Sequence, residues 1–328
     1  MARNDLGISL LIQVNFKYVH RGTIILVLLS ALSFVGNTLA QEDAARIETQ
    51  QAVTTRNQTA IAEQPATGEI ADPELGDISL VMRLPRPKMF AFSTSQSLNF
   101  TSNAFLVEDN AQNAFFWNGR ADLSFIPYAT RDFTPRLTFE QNWFRYDHFS
   151  ELDFDSQSLQ LDARYNLTRD RSWFVDGSYA ITRLYSQHPS IGEFYKFGFL
   201  NASVTRVGTI TSLPISFGIS GGAYWRHGEP STFDRVAPYL NALAIYNVCP
   251  TVQLSGFVRP EWQFYTNDPH SSSREDFNLS VGTTLSWTPV EYVTFAASAA
   301  YIGNFSSVGF DRYDVVTPNI LVAARIAF

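Results

Sequence analysis

Thr317, Pro318, Asn319, Ile320, Leu321, Val322, Ala323, Ala324, Arg325, Ile326, Ala327 and Phe328 close the chain. Counted back by twos from Phe328, one phase reads Ile326, Ala324, Val322, Ile320 and Pro318. The other phase holds Ala327, Arg325, Ala323, Leu321 and Asn319. Successive side chains of a strand point to opposite faces, so this stretch predicts a strand with one uniformly apolar face and one small or polar face. Period-two alternation that ends on an aromatic sets the expectation for the rest of the chain.

The same period recurs upstream. From Lys88 onward, twelve segments of about ten to fourteen residues alternate with period two rather than 3.6. The second segment places Trp117, Gly119, Ala121, Leu123 and Phe125 on one face, with Asn118, Arg120, Asp122 and Ser124 between them. The fourth has Leu159, Leu161, Ala163, Tyr165 and Leu167. The seventh has Ile215, Phe217, Ile219, Gly221, Ala223 and Trp225. The ninth runs from Val252 to Phe264, the tenth from Phe277 to Trp287, and the eleventh from Val293 to Tyr301. In the first, sixth and eighth segments the contrast between phases is weak.

Short turns are expected near Pro127 to Thr134, Thr168 to Ser172, Gly208 to Leu213, Asn247 to Pro250 and Thr288 to Glu291. Longer polar loops are expected near Asn103 to Asn113, Tyr146 to Ser156, Ser186 to Gly192, His227 to Asp234, Thr266 to Glu275 and Gly303 to Asp314. Trp117, Trp143, Trp225 and Trp262 fall toward the long-loop ends of their segments, and Trp173 and Trp287 toward the short-turn ends. All six take the apolar phase. Amphipathic aromatics at both ends of one face are what a lipid-facing surface places at its two interfaces.

An even number of alternating strands, the two kinds of connection and a terminal Phe328 together resemble bacterial outer-membrane β-barrel proteins. The resemblance covers Lys88 to Phe328, and it is to an architecture rather than to one substrate-specific family. It implies an all-β fold: a single antiparallel transmembrane barrel of about twelve strands with short periplasmic turns and longer extracellular loops. It also implies residence in the outer membrane of a Gram-negative-type bacterium. The implied partners are outer-membrane lipids and the barrel-assembly machinery, for which Phe328 would serve as the assembly signal.

Residues 1–40 read as a secretory signal. Lys17, His20 and Arg21 precede an apolar run from Thr23 to Val35, and Thr38 and Ala40 place small residues before Gln41. That run is shorter than the roughly twenty residues a transmembrane helix needs. Residues 41–87 are rich in Ala, Glu, Thr and Gln, which predicts a periplasmic linker or a lumen plug ahead of a barrel at 88–328.

Composition agrees. Charged residues make up 17 % of the 328, aromatics 14 %, and the formal net charge of −7 argues against nucleic acid as a partner. Mean hydropathy is nevertheless near zero. A barrel in lipid spreads its aromatics over an outer band and alternates them with polar lumen residues. Cys249 is the only cysteine, which excludes a disulfide framework and a cysteine-based metal site.

The inward phase carries Arg120, Asp122, Glu140, Asp162, Arg164, Asp176, Lys196, Arg259, Glu261 and Arg325. The two signs balance, which argues against a pore with a single-sign ring and strong ion selectivity. Arg120 with Asp122, Asp162 with Arg164, and Arg259 with Glu261 sit two apart on one face, roughly 7 Å along a strand. Such charges must pair or be hydrated. The expected activity is a narrow porin-like channel for small hydrophilic solutes. A non-conducting structural or surface-interaction barrel is the alternative, and a lipid-modifying enzyme of phospholipase or deacylase type a further one.

No convincing catalytic motif supports the enzyme reading. His148, Phe149, Ser150, Glu151 approaches the His-x-Ser-Asn run of outer-membrane phospholipases but lacks the Asn and lies in an acid-rich loop. His270, Ser271, Ser272, Ser273 is a weaker echo. The acids Asp147, Glu151, Asp153 and Asp155 lack the glycine-bearing signature of a calcium loop. No cofactor and no metal are expected.

Overall fold

The computed structural model describes residues 88–187, 192–210, 213–268, 271 and 273–328. The signal reading of 1–40, the linker reading of 41–87, and His270 and Ser272 lie outside the described residues.

Twelve strands follow one another: β1 (Phe90–Thr101), β2 (Ala114–Phe125), β3 (Phe133–Tyr146), β4 (Phe154–Asn166), β5 (Trp173–Ser186), β6 (Glu193–Ile210), β7 (Ile215–Glu229), β8 (Arg235–Cys249), β9 (Val252–Tyr265), β10 (Glu275–Val290), β11 (Val293–Ser306) and β12 (Tyr313–Ala327). Each pairs antiparallel with its neighbour in sequence. β1 also pairs with β12, Ala91 opposite Ala327 and Asn99 opposite Asn319, so the ladder closes. Closure leaves no unpaired strand edge, the condition for putting a sheet into lipid. At the seam, Phe90 and Phe328 exchange backbone hydrogen bonds of 3.0 and 2.9 Å, and their rings stack 5.8 Å apart.

One end of the barrel carries this seam and five connections, at 126–132, 167–172, 211–214, 250–251 and 291–292. We call it the turn end. The opposite, loop end carries 102–113, 147–153, 187–192, 230–234, 266–274 and 307–312. The contrast in length is smaller than the sequence suggests, because strands continue into stretches expected to be loops. β7 runs through His227 to Glu229, and β11 runs past Gly303 to Ser306. Single 3-10 turns at Ser150–Leu152, Ser231–Phe233 and Gly309–Asp311 fold three loop-end connections tightly over the mouth.

The phases follow the alternation. Leu161 (56 %), Ile320 (61 %) and Ile326 (61 %) are exposed on the outer face, as are Trp117, Trp173, Trp225, Trp262 and Trp287; the half-buried Trp143 lies on the same face. A soluble monomer does not leave so continuous an apolar belt in water. It is the surface of a barrel built for lipid. Inside, neighbouring strands accommodate bulk with local gaps: Gly282 lies opposite Phe257 across β10 and β9, and a Cβ there would come within 2.5 Å of the Phe257 ring.

Candidate functional site: the two halves of the lumen

The inner face divides into two halves along the barrel axis. In the turn-end half, small residues line one wall: Ser93 and Ser95 on β1, Thr284 and Ser286 on β10, Ala296 and Ser298 on β11, and Ala323 on β12. All remain partly accessible. With so little side-chain volume the wall leaves room for water beside the ladder. Facing it are ionic side chains. The Arg120 guanidinium donates to Glu140 at 2.6 Å and lies 3.5 Å from Asp122. Ser93 donates to the second oxygen of Asp122 at 2.6 Å, and Asn142 to Glu140 at 2.7 Å. Arg164 grips Asp176 with two bonds, 2.8 and 3.1 Å, while its guanidinium lies 4.0 Å over the Phe174 ring. Arg164 therefore pairs across to β5 rather than with Asp162 on its own strand. Asp162, almost fully buried, accepts from Gln160 at 2.6 Å. Arg325 is on the inner face at the turn-end mouth and exposed. Beyond these pairs, Phe174, Val207, Leu243 and Ile245 pack as an apolar cluster inside the wall formed by β5, β6 and β8, with Phe257 against it.

The loop-end half is closed. Every strand places at least one inner residue that is less than a tenth exposed near this end, from Thr101 on β1 and Asn118 on β2 round to Ile302 on β11 and Val315 on β12. The filling is a core in its own right. Phe144 stacks on Phe154 at 4.3 Å, and Tyr195 and Phe197 stack at 5.1 Å. Leu184 and Tyr146 join them from the strands, and Ala104, Leu152 and Phe233 descend from three loop-end connections. Leu106, with φ +50°, packs on Ile302 and Val315. Asn103 holds that loop in place, donating to the carbonyl of Val107 at 2.7 Å and to that of Asp314 at 3.3 Å.

Beside this core lies a buried ionic cluster. Arg274 bonds Asp268 at 3.0 Å, Asp311 at 2.9 Å and Asp276 at 2.6 Å, and sits 4.0 Å over the Tyr265 ring. Asp276 also accepts from Asn304 and Ser306. Burial works against the Arg274 charge, yet Tyr265, Asp276 and Asp311 outweigh it and hold the guanidinium above its usual range. Arg259 donates to Glu261 at 3.1 Å and lies 4.0 Å over Tyr239. Glu261 also accepts from Tyr224 and from Gln263. Arg235 donates to Tyr224 and Tyr265. One arginine thus ties β10 to the β9–β10 and β11–β12 connections across the mouth.

Lys196 corrects the sequence reading. It lies on the outer face, opposite Arg183 on β5 and Glu229 on β7. The residues that face inward on β6 are Tyr195, Phe197 and Phe199, aromatics that belong to the seal. An aromatic inner phase resembles a lipid-facing one, so alternation alone places Lys196 inward. The sequence reading also passed over Arg226, Arg235, Arg274 and Asp276. Arg274 lies in a stretch taken for loop, and β8 is apolar in both phases.

Around the motifs weighed as catalytic, His148 Nδ1 contacts Asp147 at 2.6 Å. The imidazole is 78 % exposed in a loop-end connection, and no hydroxyl bonds to it among the described residues. The neighbouring acids are engaged locally. Asp155 pairs with Arg145 at 2.7 Å, Asp153 accepts from the Tyr146 amide at 2.7 Å, and Asp147 accepts from the Phe115 amide. Burial pushes the Asp153 carboxyl up, against the Tyr146 amide and Arg145. Among the described residues no group of three His, Cys, Asp or Glu side chains is placed to hold a metal ion.

No family model and no curated relative matches the chain. Solved structures do. An outer membrane channel from Pseudomonas putida F1 aligns with TM-score 0.49 and 13 % identity over 73 % of this chain and 96 % of that one. The translocator domain of autotransporter NalP from Neisseria meningitidis aligns with TM-score 0.46 and 8 % identity over 87 % and 98 %. LpxR from Salmonella typhimurium aligns with TM-score 0.41 and 9 % identity over 70 % and 99 %. These are likenesses of architecture. The closed twelve-strand ladder and the apolar outer face carry the outer-membrane β-barrel fold by themselves.

Proposed function

We propose that this chain is an outer-membrane barrel sealed at its loop end, which acts as a non-conducting structural or surface-interaction protein. The observation that supports it is the closed belt of inner residues, from Phe144 and Phe154 to the Arg274 cluster. Buried ion clusters with aromatic covers are costly to open, because breaking one strands charges in a poorly solvated interior. On this reading the turn end faces the periplasm and the loop end the exterior. The exterior face is acidic: Glu108, Asp109, Asp147, Glu151, Glu193, Glu229, Glu275 and Asp314 are all exposed there. Export by the N-terminal segment, folding by the barrel-assembly machinery and the absence of catalysis belong to the same proposal.

The polar turn-end half favours a second reading, a narrow channel for small hydrophilic solutes whose loop-end seal must move. Single-channel conductance of the refolded full chain in a planar bilayer tests both. Silence is expected from a barrel proven folded by its altered mobility before heating. Reproducible steps from the unaltered chain would overturn the sealed reading. Steps confined to a variant that lacks residues 104–111, which include Leu106, would make the seal a gate.

A further inference from the structure

The arginines of this barrel are of two kinds. Among those of the lumen and loop end, Arg120, Arg145, Arg164, Arg183, Arg259 and Arg274 each have a carboxylate partner. Arg312 donates to the carbonyl of Ser306. At the turn end the pattern reverses. Among the described residues, Arg131, Arg169, Arg171 and Arg206 have no carboxylate within ion-pair distance. They form one patch on the side of β3 to β6. Arg131, in the β2–β3 connection, donates to the carbonyl of Arg169 in the β4–β5 connection at 3.4 Å. Arg206 on β6 lies directly across from Trp173 on β5, its guanidinium 5.5 Å from the indole.

The acids nearby do not neutralise them. Asp170 accepts from the Ser172 amide at 3.1 Å and its hydroxyl at 2.9 Å. Bonds from Thr168 and Ser172 hold its carboxyl below the usual carboxylate range. That carboxylate shapes its own turn. Asp132 makes no ion pair among the described residues.

The level of the patch is set by its neighbours. Trp173, Tyr165 and Leu167 are exposed on the outer face beside it. An indole with an exposed apolar residue at the strand end marks the interface between hydrocarbon and headgroups. Guanidiniums without a carboxylate partner at that level are open to an outside anion. Guanidinium matches phosphate oxygens with two parallel bonds, and its aliphatic stem can lie along apolar surface while the head reaches headgroups.

We propose that Arg131, Arg169, Arg171 and Arg206 form a docking surface for the phosphate of anionic glycerophospholipids in the leaflet at the turn end. The opposite end of the barrel is acidic, so the charge asymmetry also orients the barrel toward that leaflet. The proposal rests on the outer face being embedded in lipid. A full chain that will not enter bilayers would break that premise, whereas equal lipid affinities would break the patch alone.

The test uses Trp173 as reporter. The full chain and Trp173→Phe are reconstituted with brominated phosphatidylglycerol or brominated phosphatidylcholine, and the difference in quenching gives the relative affinity at this site. Each arginine at a charged surface adds to attraction, so a preference of roughly three- to tenfold for phosphatidylglycerol is expected at low salt, shrinking at high salt. In Arg131→Gln/Arg169→Gln/Arg206→Gln the preference falls to near unity. Equal affinities in the unaltered chain, or a preference that survives the triple substitution, would overturn the proposal. So would displacement by millimolar inorganic phosphate, which would make this a free-anion site. If the triple variant does not fold, Arg169→Gln alone must lose part of the preference.

Discussion

The two halves of the lumen are made from the same strands and the same inward phase, yet they treat charge differently. In the turn-end half Asp162 is buried, but Arg120, Asp122 and Glu140 keep a share of solvent, with side chains 15 to 23 % exposed. In the loop-end half, Asp276 is fully buried and Arg274 7 % exposed, covered by Tyr265 and enclosed by three carboxylates. The difference lies in the neighbours. Serines and alanines on β1, β11 and β12 leave volume for water. Aromatics on β3, β4 and β6, Leu184 on β5 and loops folded inward remove it. A charge near water can lose its partner and be solvated; a charge inside the seal cannot.

The largest test of this contrast is Arg274→Ala. It would leave Asp268, Asp276 and Asp311 without their shared cation, and removing one partner of a buried ion pair costs about 3–5 kcal/mol. A marked drop in the urea midpoint and exposure of the loop end to protease are expected. A midpoint within error of the unaltered chain would mean the cluster is hydrated and the seal loose.

Next comes Phe154→Ala, which removes a ring with no exposed surface that stacks on Phe144. Phe-to-Ala changes in cores cost about 3 kcal/mol or more. The matching turn-end change, Ser95→Ala, should leave the midpoint alone. If both variants behave alike, the loop-end half is not a core.

Arg164→Ala is the turn-end counterpart of Arg274→Ala. Its pair with Asp176 is bidentate, but the two side chains are 22 and 16 % exposed, so water can solvate the abandoned carboxylate. A loss of about 1 kcal/mol is expected, well below that of Arg274→Ala. Equal losses in the two variants would erase the distinction between the halves.

The same contrast explains what the sequence revealed. The outer face was legible because lipid imposes one demand on the outward positions of every strand between its two interfaces, from Trp117 to Ile326. Strand number and most inward charges follow once that phase is known. The seal was not legible, because a lumen that is itself a core loses the apolar–polar contrast on which a period-two reading depends. On β6 the inward Tyr195, Phe197 and Phe199 compete with the outward Leu200 and Val204, and Lys196 is misplaced as a result. On β8 the inward Tyr239, Leu243 and Ile245 match the outward Val236 and Leu240. The partners of Arg274 come from β10 and two connections, and no spacing in the sequence links Asp268, Asp276 and Asp311. The filling of the loop-end half is a property of contacts between several strands and the connections above them, not of any one strand.

The smallest effect belongs at the border of the two regimes, in the β3–β4 connection. Asp153 is half-buried beneath the loop end, its carboxyl pushed up by burial while it accepts the Tyr146 amide. A carboxyl with a raised folded-state pKa holds its proton more tightly when folded. Its stabilising contribution is therefore complete below the unfolded value of about 4 and is lost as the pH rises through the folded value. Asp153→Asn keeps an oxygen for the Tyr146 amide and removes the charge. At pH 7 its urea midpoint should equal or slightly exceed that of the unaltered chain, by about 0.3 kcal/mol, as for a change that strands no partner. Below pH 4 that advantage should vanish, because the protonated Asp153 no longer carries the buried charge. A variant weaker at pH 7 than at pH 4, relative to the unaltered chain, would mean that the ionised carboxylate is the form this border prefers. The hydrated regime of the turn-end half would then reach up into the loop-end connections.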